Sequence, residues 1–260
     1  MMDQHAVSAG PRAPGRPSLF AFATPQRFYF LAGSLLPWFA GGAALFAVLG
    51  LYVGLLLAPA DHQQGEAYRI IFVHVPAAWM SMLIYVVMAG WAAVGLVFNT
   101  RVSGMMAAAL APTGALFTFL ALWTGALWGK PTWGTWWVWD ARLSSELILL
   151  FLYAGVMALR SAVDDPRRAD RAAAILALVG VVNIPIIYFS VKWWNTLHQG
   201  ASVSLDAAPT MAATMLAGMI LMVIAAWCYS VAVALARARC IVLERERHAA
   251  WVALALEDKA

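Results

Sequence analysis

The chain has 260 residues, 63% hydrophobic and 12% charged, with a formal charge of +4. Its mean hydropathy is +0.75 and its pI is near 9.3. Soluble domains carry about 25% charged residues, so the composition excludes a water-soluble globular protein and predicts an integral membrane protein.

Spans of about 20 apolar residues argue for helices, whereas a membrane β-barrel would alternate weakly over about 10 residues. The fold class predicted is all-α: a polytopic membrane protein with six transmembrane helices. Residues 1–34 are polar and rich in Pro, Gly and Arg, and are expected to be disordered and to precede the first span without a cleaved signal peptide. The six apolar runs are 35–58, 72–98, 105–127, 144–160, 172–189 and 209–236, and 35–236 is read as one membrane domain. Residues 237–260 alternate apolar and charged groups, as expected for an amphipathic tail that continues the last span.

An even number of spans puts both termini on one side. That side carries thirteen Lys and Arg and the other only Arg69, Lys130, Arg142 and Lys192. Cations favour the cytoplasm, so both termini are expected there, and the connections 59–71, 128–142 and 190–208 are expected outside. The positive charge thus has a topological origin and calls for no nucleic acid. Cys228 and Cys240 form no Cys-x-x-Cys pair, which gives no reason to expect a disulfide framework or a thiol redox motif.

The external connections hold the unusual chemistry. Trp128-Gly-Lys-Pro-Thr-Trp-Gly-Thr-Trp-Trp-Val-Trp-Asp-Ala-Arg142 places Trp128, Trp133, Trp136, Trp137 and Trp139 within one stretch, read as a loop. Interfacial indoles anchor helices, but five within twelve positions exceed that need. They read as an aromatic platform for a flat apolar ligand. His74 opens the second span and His198 lies in the last external connection, while His62 sits in an ordinary polar stretch. Neutral imidazole is a good iron ligand, and two histidines from different segments would complete six-coordinate iron in a porphyrin. Its propionates would seek Arg69, Lys130 or Arg142. Zinc fits less well, because no paired His or Cys spacing is present.

Each residue also has a plainer reading. A histidine at a helix end commonly serves as a hydrogen-bonding group, and Trp193 and Trp194 as anchors. Asp140 is placed to cap the fourth span. Glu146 is read either as a buried functional carboxyl or as a first-turn acid. Asn183 and Pro185 are expected to mark a kink.

The tryptophan stretch resembles the WWD signature of the haem-handling membrane proteins of cytochrome c biogenesis. Phe72-Val-His-Val-Pro-Ala-Ala-Trp79, Trp193-Trp-Asn-Thr-Leu-His-Gln-Gly200, the six spans and the length resemble the cytochrome c maturation protein C (haem exporter protein C) family. The resemblance covers residues 28–239. It implies that His74 and His198 ligate haem iron, and that Trp128 through Asp140 present haem b, a transiently bound cargo. It further implies delivery to the periplasmic haem chaperone E, with the ABC-type maturation proteins A and B and the small membrane protein D as partners. The location implied is the bacterial inner membrane, with the site facing the periplasm and no enzymatic activity. Two other functions compete. A transporter moving haem through the bundle should show polar groups along its spans, and few are present. A haem-linked oxidoreductase needs an open iron position, which two axial histidines would fill.

Overall fold

The computed structural model describes residues 24–198, 209 and 211–257, and these form helices with no strand among them. The expected disorder of residues 1–23 lies outside them. Six helical segments are long and apolar enough to cross a membrane: Pro25–Leu57, Glu66–Phe98, Arg101–Trp133, Ala141–Ala162, Pro166–Trp193 and Ala213–Arg245. They correspond one for one to the six apolar runs.

Helix α1 (Pro25–Tyr52) starts ten residues earlier than its apolar run, so residues 25–34 are helical rather than disordered. Pro25 occupies the first turn, where its missing N–H costs nothing and its fixed φ suits the helix. A π-helical turn, Val53–Leu57, ends this span. A short 3-10 turn, Glu66–Ile70, leads into α2 (Ile71–Phe98). Asn99, left-handed at φ 52°, turns the chain into α3 (Arg101–Trp133). Asp140 caps α4 (Ala141–Ala162), accepting a hydrogen bond from Leu143 N–H at 2.8 Å. Asp165 likewise caps α5 (Pro166–Gly180), with Pro166 in the first turn.

The fifth span is broken at Val181 and Val182 before α6 (Asn183–Trp193). Pro185 has no N–H for the Val181 carbonyl and its ring crowds that group, so the kink expected around Asn183 and Pro185 is present. Asn183 Nδ2 donates to Ser145 O at 2.9 Å across to α4. Helix α7 (Ala213–Arg245) runs nine residues past its apolar run. A separate short helix, α8 (Ala250–Glu257), follows, so the tail does not simply continue the last span.

Helix α3 is the most enclosed span and α1 the least. The main core packs Tyr85 and Met88 of α2, Leu149 and Tyr153 of α4, and Ile187 of α6, all essentially fully buried. Helix α1 lies along α7 through small residues. A side chain at Gly50 would press on Met222 of α7 at 2.8 Å, and in the turn after α1 one at Gly54 would strike the Phe72 ring of α2 at 2.7 Å. One end of the bundle gathers the starts of α2, α4 and α7 with the ends of α3 and α6. That end carries the candidate site.

Candidate functional site

His74 sits in the first turn of α2 and is buried. Its Nδ1 lies 3.0 Å from Thr124 Oγ1 of α3, and the Thr124 hydroxyl donates to Leu120 O at 2.6 Å. The hydroxyl proton is thereby committed, so Thr124 accepts from Nδ1–H. That assignment leaves Nε2 with its lone pair, the form a metal requires. The Trp128 ring meets the imidazole edge-on at 5.6 Å, and a side chain at Gly125 would come 3.1 Å from its Cε1. Close approach of α3 to the ring therefore depends on Gly125 having none.

His198 arrives from the segment after α6. Its ring centre is 6.2 Å from that of His74, with the planes at 54°, and 5.6 Å from Trp133. A metal–imidazole bond of about 2 Å on each side puts two ring centres roughly 6 Å apart. Imidazoles can rotate about such bonds, so the interplanar angle does not oppose shared ligation. Nδ1 of His198 is buried, with no hydrogen-bond partner among the described residues. Burial, reinforced by the nearby Arg142 charge and opposed by Asp140, pulls His198 down to about 4. The ring is therefore neutral and ligand-competent at neutral pH.

Arg142 and Glu146 of α4 line the same cavity as both histidines, Gly125 and Trp133. Arg142 Nη1 donates to Ile187 O at 3.0 Å, and its other N–H groups have no protein partner among the described residues. The Ser81 hydroxyl donates to Glu146 Oε1 at 2.7 Å, which places this carboxyl inside the bundle rather than at a solvated first turn.

The tryptophan stretch is not one loop. Trp128 and Trp133 belong to the last turns of α3, which ends at Gly134 with φ 79°; only Trp136, Trp137 and Trp139 lie in the connection. Trp136 and Trp139 are exposed, and Trp139 meets Trp137 edge-on at 5.3 Å. Trp137 Nε1 is buried, with no partner among the described residues. Asp140, besides capping α4, accepts from the Thr196 hydroxyl, and Thr196 Oγ1 accepts from His198 N–H at 2.9 Å.

Two cations expected nearby are engaged elsewhere. Arg69 donates to Gly54 O at 2.6 Å and Ala58 O at 3.2 Å, and pairs with Glu66. It thus satisfies carbonyls freed where α1 ends and does not line the cavity. Lys130 donates to Gly134 O at 3.0 Å. His62 is exposed beside Asp61. Three groups that the sequence did not single out contribute: Thr124, Thr196 and Gln64, whose Oε1 accepts from Trp128 Nε1 at 2.7 Å. No type or spacing marks them. Among the described residues no group of three His, Cys, Asp or Glu could hold a bare metal ion. The donor set suits a metal that brings its own equatorial ligands.

A family model described as Heme exporter protein C matches residues 18–253. The protein of that name from Escherichia coli strain K12 is 57% identical over 185 residues, 71% of this chain and 76% of its own. Its namesake from Haemophilus influenzae is 47% identical over 234 residues, 90% and 95% of the two chains. That from Bradyrhizobium diazoefficiens is 49% identical over 228 residues, 88% and 86%.

Proposed function

Since the chain belongs to the Heme exporter protein C family, we propose that it handles haem for cytochrome c biogenesis, holding it at one end of the bundle between His74 and His198. The observation that carries this reading is the pair of imidazoles, brought from separate segments to a 6.2 Å ring separation. Haem supplies four equatorial nitrogens, and the two histidines supply the axial pair. Arg142, beside both rings and with donors to spare, takes a propionate. Trp128 and Trp133 pack around the ligands, and the exposed Trp136 and Trp139 present an apolar surface to a receiving protein.

On this reading the protein is a multi-pass protein of the bacterial inner membrane, with the site on the periplasmic side. The receiver is the periplasmic haem chaperone of the maturation system, and the ABC-type proteins A and B and the small protein D act with it. The chain binds, orients and releases its cargo without transforming it. Passage through the bundle is the less favoured reading, because fully buried Tyr85, Tyr153, Met88 and Leu149 fill its centre.

The test is the spectrum of the purified protein with haem. Wild type is expected to be six-coordinate and low-spin. His74→Ala and His198→Ala should each lose that signature, and added imidazole should partly restore it, while His62→Ala should match wild type. Unchanged spectra in both single variants would remove the ligand assignment.

A further inference from the structure

The two histidines are held in unlike ways. His74 belongs to a spanning helix, and its ring is fixed by Thr124, Gly125 and Trp128. His198 lies beyond the last residue of α6, on non-helical backbone, and its Nδ1 has no partner among the described residues. Among the described residues, 195–198 make one hydrogen bond to another segment, from the Thr196 hydroxyl to Asp140 Oδ2. That hydroxyl also accepts from His198 N–H. It needs one proton to give and one lone pair to receive with, which serine and threonine provide and valine does not. Asp140 itself stays in place because its other oxygen caps α4 through Leu143 N–H.

The room beside the rings is about 40 Å³, enough for a few waters. Sites for ligands of moderate size hold roughly 300 Å³ or more. A macrocycle therefore needs the residues around the cavity to move apart, and among the described residues 195–198 are held to another segment by a single hydroxyl.

From this geometry, and resting on the haem reading above, we propose that Thr196 is a positioning residue that latches His198 to Asp140, and that His198 is the axial ligand that lets go when haem leaves. The step is a ligand exchange. The iron–nitrogen bond to His198 breaks and its electron pair returns to the imidazole. A lone-pair donor of the receiving protein takes the vacated position, and no electron is transferred. Asp140 directly follows Trp139, so a receiver docked on the exposed Trp136 and Trp139 bears on the acceptor of the latch.

The experiment uses the full-length purified protein loaded with haem. Thr196→Val should shift most of the haem from six-coordinate low-spin to a five-coordinate high-spin form resembling that of His198→Ala, and imidazole should restore the low-spin form. Thr196→Ser should keep the wild-type spectrum. Release of haem to excess apomyoglobin should quicken about tenfold in Thr196→Val, with little further gain on adding His198→Ala. A wild-type spectrum and release rate in Thr196→Val would overturn the latch. In the unaltered Thr196 background, His198→Ala should retain more haem than His74→Ala, and the reverse order would overturn the assignment of the releasing ligand even if Thr196→Val cannot be recovered. A wild-type protein without the six-coordinate signature would instead sink the haem reading itself.

Discussion

At the scale of single residues, the proposed site depends on side chains that would not themselves touch iron. Thr124 fixes which nitrogen of His74 carries the proton, because its own proton is spent on Leu120 O. Removing that acceptor leaves a buried N–H unpaired, at a cost of about 1–3 kcal/mol, and frees the ring to turn. Partners of this kind are worth roughly 10–100-fold in metal affinity. Thr124→Val is therefore expected to weaken haem binding by about that factor, and Thr124→Ser to keep it, as measured by haem titration of the purified protein. Equal affinity in Thr124→Val and wild type would mean that the hydroxyl only fills space. The approach of His74 and His198 was legible from residue type and position. Thr124, Gln64 and Thr196 were not, because one hydroxyl or amide is chosen among many by tertiary approach. The partners of Arg69 were not legible for the related reason that a cation's partners are set by fold. The carbonyls of the π-helical turn after α1 lie within its reach, and no pattern in the sequence announces such a turn.

At the scale of elements, the tryptophan stretch divides its work. The two indoles on α3 stand against the imidazoles, whereas Trp136 and Trp139 face outward. Trp136→Ala is thus expected to leave haem on this protein nearly intact while lowering its transfer to the chaperone. The readouts are retained haem and the fraction of chaperone that becomes loaded; undiminished transfer would reduce the connection to a membrane anchor. Asp140→Ala should be harsher, since it removes both the cap, about 1 kcal/mol, and the acceptor of the Thr196 hydroxyl. Apolar length revealed every span, because backbone in a bilayer has helix as its simplest solution. Helix ends were harder to read. The stretch from Trp128 reads as loop in the sequence, yet α3 continues through Pro131 to Trp133 and stops only where Gly134 supplies a left-handed residue.

At the scale of the whole molecule, the two ends of the bundle are built differently. The end opposite the histidines is tied by charge: Asp170 of α5 receives Arg160 of α4 at 2.6 Å and both terminal nitrogens of Arg245 of α7, at 2.6 and 2.9 Å. A side chain at Gly104 of α3 would strike the same carboxylate at 2.5 Å. Asp170→Ala strands two largely buried arginines, a loss on the order of 3 kcal/mol. It should lower the melting temperature in detergent while leaving the haem spectrum of the folded fraction unchanged; an altered spectrum would show that the two ends are coupled. The same layout predicts topology. A reporter active only outside the cytoplasm should be active when fused near Thr132 and silent near Asp165. The opposite pattern would put the histidines in the wrong compartment.

Helix α3 supplies Thr124, Gly125, Trp128 and Trp133 from one continuous length of backbone, and those positions keep their angular phase only while the helix stays in step with α2. One residue inserted between Thr113 and Leu120 would rotate everything beyond it by about 100° and advance it by about 1.5 Å. The hydroxyl, the side-chain-free position and Trp128 would turn away from His74, and Trp133 from His198, together. Seven inserted residues would nearly restore the phase but carry the same face about 10 Å past the ring. The wall beside His74 is therefore gauged by the distance along α3 from its turn at Asn99, at the far end of the bundle, so changes in helix length there would be felt as errors of aim at the site.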